Sequence, residues 1–322
     1  MRIRVILLAT SLAFQGLPAL AQNALPAPAP SGRSAVVTYY LNERRTSVSI
    51  ELFRGIVLFK VKLAGRDAWM MLDNGAEHSL IDAALLEPLG IKSEAHKGRT
   101  MRTPTGTVVP YRIALDVPLV IPGQLEGRIP MAAVDLKGFS SLAGRPIDAV
   151  LGADLLNASI LSLDVGRRFL QLLPRSAKVS VAVPPIPLAR GKPQFEASIG
   201  GQPVQLTIDL GFVGELSLSP EVWARVGPPD AKREARSVGH IDGNALSVDH
   251  ASLPAVSIGS IERKNVDVDI RQIPVRDGDG WIGMGLMSQF VVVMDVTGGN
   301  LWLVPPPSAS TKPAPGAGVS QP

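Results

Sequence analysis

Apolar residues fall in short runs along this chain, interleaved with polar positions and broken at close intervals by Gly or Pro. The runs at 55–63, 68–72, 108–115, 204–208 and 290–296 are rich in Val, Ile, Leu, Phe and Met. No long segment holds the 3.6-residue period of an amphipathic helix. Short β-rich runs bounded by turn residues predict strands joined by tight connections, so the fold class is all-β.

The pattern occurs twice. Arg54-Gly55 recurs as Arg190-Gly191, and Asp73-Asn74-Gly75 recurs as Asp209-Leu210-Gly211, 136 residues later in both cases. Between these points Phe59 falls on Phe195 and Gly65 on Gly201 with no gap. Each copy therefore reads as strand, Gly turn, strand, then an Asp-x-Gly loop. A short apolar segment and a helical turn are predicted after each loop. Asp82 would cap 83–89 with Gly90 as its stop, and Ser219 would cap a helix that begins at Pro220 and ends at Gly227. A cap oxygen accepts an orphan N–H, Pro suits the first helical position, and Gly tolerates a left-handed stop. Later in each copy, Ile147-Asp148-Ala149-Val150-Leu151-Gly152 matches Gly278-Asp279-Gly280-Trp281-Ile282-Gly283. Twelve residues beyond each closing Gly stand Asp164 and Asp295, each before a Gly-containing turn.

The repeat divides the chain into an N-terminal lobe at 46–175, a Pro-rich linker at 176–189 and a C-terminal lobe at 190–305. Before the first lobe, Arg2 and Arg4 precede an apolar run at 5–20, and Ala19-Leu20-Ala21 has small residues where a signal peptidase reads. A signal peptide at 1–21 is expected, with export to a periplasm or beyond. The apolar run is too short to favour a membrane span, and no stable membrane insertion is expected once the signal is cleaved. A flexible segment is expected at 22–45 and a disordered tail at 306–322, since both ends are Pro-, Ala- and Ser-rich and carry little that can pack.

Composition adds exclusions. Hydrophobic residues make up 46% of the chain and charged residues 19%, which suits globular lobes rather than disorder. The formal net charge is +4, but the basic pairs are scattered and lack interleaved aromatics, which argues against nucleic-acid binding. There is no Cys, so the fold must hold without disulfides. There is no Gly-x-Ser-x-Gly elbow, and the four His are not spaced as zinc ligands.

An isolated Asp-x-Gly is an ordinary turn sequence. Two of them, each after an apolar strand and each followed later by two apolar residues and Gly, are more telling. Met71-Leu72-Asp73-Asn74-Gly75-Ala76 and Thr207-Ile208-Asp209-Leu210-Gly211 resemble the signature loops of the aspartic proteases. The whole pattern is similar to retroviral-protease-type lobes joined in one chain. Val150-Leu151-Gly152 and Trp281-Ile282-Gly283 look like the strand that crosses behind each loop in that family. The resemblance implies a two-lobed acid-protease-type β-barrel fold, with Asp73 and Asp209 as a catalytic pair activating water. It also implies loop support from Asn74, Gly75, Leu210, Gly211, Gly152 and Gly283. A substrate-covering flap is implied near Thr105, Gly106 and Tyr111, with 240–247 as the other candidate hairpin. Two carboxylates in contact cannot both ionise cheaply, so they share a proton.

The sequence departs from the family after each Asp. The usual Thr or Ser is replaced by Asn74, which still donates and accepts, and by Leu210, which does neither. Phe212 stands where a small residue is usual. Two functions follow: an exported aspartic endopeptidase, or a catalytically impaired module holding a peptide or envelope partner in the interlobe cleft. Both take a polypeptide as partner and neither calls for a cofactor or metal. A monomer is expected, because one chain carries both copies.

Overall fold

The computed structural model describes residues 2–6, 36–40, 46–102, 108–239 and 245–306. The first lobe begins with β1 (Arg2–Ile6), β2 (Val36–Tyr40), β3 (Val48–Phe53), β4 (Ile56–Leu63), β5 (Arg66–Leu72) and β6 (Leu80–Asp82). It continues through β7 (Ser93–Arg102), β8 (Val108–Ile121), β9 (Leu125–Val134), α1 (Lys137–Ala143), β10 (Ala149–Leu151) and α2 (Ala153–Leu156). Next come β11 (Ser159–Asp164), β12 (Phe169–Pro174) and β13 (Ile186–Pro187). The second lobe runs through β14 (Gln194–Ile199), β15 (Gln202–Ile208), β16 (Leu216–Leu218), α3 (Pro220–Val226), β17 (Glu234–Gly239) and β18 (Ala245–Ile258). It closes with β19 (Ile261–Ile270), β20 (Gly280–Ile282), α4 (Met284–Met287), β21 (Val291–Asp295) and β22 (Asn300–Val304). The fold is all-β with two tandem lobes, as the repeat predicts.

Each lobe opens with a tight hairpin whose turn residues have positive φ. Ala64 and Gly65 (φ 47° and 84°) turn β4 into β5, and Gly200 and Gly201 (58° and 78°) turn β14 into β15. Two-residue hairpin turns that match strand twist need this conformation at both positions, which is why Gly recurs there. Along β4, Val57, Phe59, Val61 and Leu63 are buried while Lys60 and Lys62 are exposed. The equivalent Phe195 in β14 is also buried. Alternation places these side chains in one continuous core.

The later segment of each copy returns to the Asp-bearing strand. β10 lies parallel to β5 and antiparallel to β6, and β20 lies in the same way between β15 and β16. A long hairpin follows each loop: β7–β8 in the first lobe and β17–β18 in the second. The predicted turn residues Thr105 and Gly106, and residues 240–244, lie outside the described residues, whereas Tyr111 is part of β8.

The lobes are joined by a sheet of order β12-β11-β21-β22-β13. Its central pairing is antiparallel, with Leu161 opposite Met294, Ser162 opposite Val293 and Leu163 opposite Val292. In the numbering that relates Asp164 to Asp295, the first and third pairs exchange and the middle pair maps onto itself. A pseudo-two-fold axis therefore passes between Ser162 and Val293, as in an isologous interface folded into one chain. The end of the Pro-rich linker supplies β13, where Ile186 pairs with Leu301.

Three details differ from the sequence-based expectation. After the first Asp-x-Gly loop there is only a 3-10 turn, Ala83–Leu85, capped by Asp82 Oδ1 at 3.0 Å from the Ala84 N–H, rather than a helix through residue 89. Beyond it the chain keeps turning without a regular helix, Leu89 N–H donating to Leu85 O at 3.1 Å and Gly90 N–H to Glu87 O at 3.0 Å, and Gly90 is left-handed (φ 62°). In the second lobe Ser219 caps α3 and Pro220 takes its first position as predicted, but Gly227 is extended (φ −71°) and not left-handed. Gly is required there by contact, since a β-carbon would fall 2.6 Å from the Trp223 ring. Within 22–45, Val36–Tyr40 forms a strand beside β9, and Arg2–Ile6 pairs with its other edge. A run of Val, Val, Thr, Tyr and Tyr has strong strand preference, which outweighed the Pro-rich character of its neighbours in the chain. Residues 7–35, which hold most of the expected signal segment, and the tail beyond 306 lie outside the described residues.

Candidate active site

Asp73 and Asp209 are delivered in the same way. Each follows directly on its strand, and each backbone N–H donates to the residue before the backing glycine: Asp73 to Leu151 O at 3.1 Å, Asp209 to Ile282 O at 3.0 Å. The loop then folds back on its own carboxylate. Gly75 N–H donates to Asp73 Oδ1 at 2.8 Å; Gly211 and Phe212 N–H donate to Asp209 Oδ1 at 2.9 and 3.1 Å.

The two loops face one another across the lobe boundary. A β-carbon on Gly75 would lie 3.0 and 3.1 Å from the Asp209 carboxylate oxygens, and one on Gly211 would lie 2.4 Å from Asp73 Oδ1. Each glycine thus leaves room for the opposite lobe's carboxylate, and the Asp pair is brought together. Neither glycine has a positive φ, so close approach is what requires them.

Of the two side chains that follow the Asp residues, it is Asn74's that reaches across to the opposite loop. Asn74, buried at 6% exposure, donates from Nδ2 to Ile208 O at 2.8 Å and accepts the Leu210 N–H on Oδ1 at 2.7 Å. Leu210 instead lies in the hydrophobic core at 1% exposure. One amide makes the donor and acceptor contacts on the opposite loop, and Leu210 supplies packing alone.

Phe212 is accommodated by glycines. Its ring lies where β-carbons on Gly214 and Gly283 would be, 2.3 and 2.5 Å away. Gly152 and Gly283 lie close behind the two loops: a β-carbon on Gly152 would fall 2.5 Å from the carbonyl carbon of His78, and one on Gly283 2.4 Å from Phe212 O. Sequence reasoning missed the Ser79–Asp154 pair in the first lobe. Ser79 Oγ donates to Asp154 Oδ1 at 2.7 Å and accepts the Gly152 N–H at 3.0 Å, tying the backing strand to the loop. The corresponding place in the second lobe holds Gly285, so the repeat could not have revealed it. The β7–β8 hairpin brings Met101 and Tyr111 against the apolar cluster containing Leu58, Met71 and Val150.

Burial raises the affinity of both carboxylates for protons. Asp209 is pushed up to about 7, first by burial and then by the negative charge of Asp73, with Asp277 adding in the same direction. The Gly211 and Phe212 amides oppose the rise. Asp73 is also raised by burial, against the Gly75 and Ala76 amides. Asp277 was not foreseen from the sequence. It is itself raised by burial, and accepts a hydrogen bond from Trp281 Nε1 at 3.1 Å.

Two stretches of the chain, residues 59–155 and 195–286, match the family model described as aspartyl protease. They begin at Phe59 and Phe195, the equivalent core residues of the two lobes, and each contains one Asp-x-Gly loop and its backing glycine. No curated protein matches the chain.

Proposed function

The chain belongs to the aspartyl protease family, and from that premise we propose that it is an exported endopeptidase whose Asp73–Asp209 pair hydrolyses peptide bonds. The observation that carries this reading is the seating of each carboxylate against the other lobe's Asp-x-Gly glycine. With one proton shared by the pair, the ionised carboxylate accepts a proton from water as its oxygen attacks the peptide carbonyl carbon. The protonated partner gives its proton to the carbonyl oxygen, and the tetrahedral adduct forms. Transfer of a proton to the peptide nitrogen and cleavage of the C–N bond then release a carboxyl and an amine product. Asn74 serves by holding both loops in register, since small misplacement of reacting groups is costly to rate.

In this reading the mature chain starts after Ala21, acts as a monomer and takes an extended polypeptide beneath the β7–β8 hairpin. No helix among the described residues is long and apolar enough to cross a membrane. The one-sided brace at Leu210 favours the alternative, a peptide-binding module with little or no catalysis. Digestion of a diverse peptide mixture from about pH 3 to 7, where a proton-sharing pair is partly protonated, decides between them. Cleavage by the wild type, abolished by Asp73→Ala and by Asp209→Ala in folded protein, is the expected result. Cleavage that survives both substitutions would remove these residues from the chemistry. Binding without cleavage at any pH would establish the module.

A further inference from the structure

The two lobes present different chemistry on the sheet face that carries the Asp pair. In the first lobe the row across that face runs Leu58, Met71, Val150, Leu80 and Ala132, each opposite the next in the ladder. The equivalent row in the second lobe runs Gln194, Thr207, Trp281, Ser217 and Asp269. Met71 and Thr207 each stand two residues before the Asp of their lobe, so strand alternation puts each row on the same face as that Asp. One step beyond Ala132 on this face is Val134; one step beyond Asp269 is Arg271. The first lobe's row is thus apolar and packs in one buried cluster with Phe139 and Ala143 of α1, whereas the second lobe's row is largely polar and ends in a cation.

Arg271 is buried to 7% exposure, yet its Nε has no hydrogen-bond partner. Among the described residues no carboxylate pairs with its guanidinium. Asp269, the nearest candidate by position, is engaged by Arg236 at 2.7 Å and lies 3.3 Å from His250 Nδ1. Asp277 takes the Trp281 indole N–H. The Arg271 guanidinium lies 5.1 Å from the centre of the Trp281 ring, a distance at which the ring attracts it and limits its orientation. Burial lowers its pKa, while the negative charges of Asp269 and Asp209 oppose that fall, which puts it within electrostatic reach of the dyad. An unpaired buried cation is costly to keep, and a planar guanidinium is shaped to take a carboxylate through two parallel N–H bonds.

We infer that Arg271 is a specificity-determining residue that holds a carboxylate of the bound peptide in the second lobe's half of the cleft, so that the substrates are acidic peptides. This rests on the reading of the cleft as a peptide site. The carboxylate belongs either to an internal Asp or Glu side chain or to the peptide's C-terminus.

The test uses the mature chain and a set of decapeptides in which each position in turn carries Glu or Gln, with the C-terminus free or amidated. Wild type should prefer the carboxylate form by about 10- to 100-fold, the scale of a charge-assisted hydrogen-bonded pair. Preference for Glu at one position identifies a side chain; preference for the free over the amidated end identifies the terminus. Arg271→Gln should collapse that ratio towards one. If Arg271→Gln does not fold, Arg271→Lys keeps the charge without the planar fork and should reduce the ratio. The same peptides are titrated by calorimetry into the Asp73→Ala protein with and without the Arg271 substitution. If nothing is cleaved but binding still depends on the carboxylate and on Arg271, the endopeptidase reading falls and this inference stands. Equal handling of Glu and Gln and of both termini by wild type, or an unchanged preference in the Arg271 variants, overturns it.

Discussion

Asn74 grips the opposite loop by both ends of its amide, accepting the Leu210 N–H at 2.7 Å and donating to Ile208 O at 2.8 Å. Both bonds are buried, so truncation strands a backbone donor and an acceptor away from water. Asn74→Ala should cost about 2–4 kcal/mol of stability, from one to a few kcal/mol per unsatisfied group. It should also lower kcat by about 10- to 100-fold through loss of alignment. Urea denaturation and peptide cleavage measure the two effects; an unchanged kcat would show that the brace does not set the geometry of the pair.

That relationship was half legible in the sequence. The repeat, the Asp-x-Gly loops and the backing glycines could be read because they punctuate the chain at fixed intervals. Asn74 could be seen to keep a donor and an acceptor, but not that a single side chain would reach both partners, which depends on how the lobes dock. Ser79–Asp154 and Arg271 have no equivalents in the other copy, so self-comparison was blind to them. Val36–Tyr40 went unread because its pairing partner, β9, lies far along the chain.

Restoring the family's usual hydroxyl should not help. Leu210 is packed in the core, so Leu210→Thr loses buried apolar surface and introduces a hydroxyl that must find a partner. A loss of about 2–3 kcal/mol is expected, in the range of other core truncations, with no gain in kcat. A faster enzyme of unchanged stability would mean that the second arm of the brace was limiting.

The backing glycines should tolerate no side chain. The β-carbon of Gly152→Ala would stand 2.5 Å from backbone carbon, and that of Gly283→Ala 2.4 Å from a backbone oxygen. Neither neighbour can swing away as a flexible side chain could. Each variant should lose about 3 kcal/mol or more, or fail to fold, as overpacking against fixed atoms does. Gly65→Ala is the control. Its φ of 84° is awkward for alanine, but nothing lies within 4 Å, so about 1–2 kcal/mol is expected. Equal costs at all three sites would contradict this account.

The pairing of β11 with β21 satisfies within one chain the symmetric sheet contact through which separate copies could otherwise associate. Light scattering on the mature protein should give the mass of one chain. A stable dimer whose dissociation abolished cleavage would mean that the site is shared between copies.

Both carboxylates bind protons more tightly in the folded state than an ordinary Asp does, Asp209 up to about 7. Between the unfolded value near 4 and the folded one, the native state holds more protons than the unfolded state, so stability falls as pH rises through that window. Asp209→Asn removes this penalty. The variant should therefore gain on wild type as pH rises from about 4 to 7.5, by on the order of 1–4 kcal/mol given about 1.4 kcal/mol per pKa unit. Thermal unfolding across that range measures it, and a gap that narrows towards neutral pH would reverse the sign of the argument. In the proposed mechanism the same coupling sets the alkaline limit of cleavage, since the pair would act while it shares one proton. Asp277 adds negative charge beside Asp209, so Asp277→Asn should move the alkaline limb of the kcat profile to lower pH. The neutral amide can still accept the Trp281 indole N–H, which keeps that side of the cleft in place. An alkaline limb that stays put would show that Asp277 does not contribute to the field at the dyad.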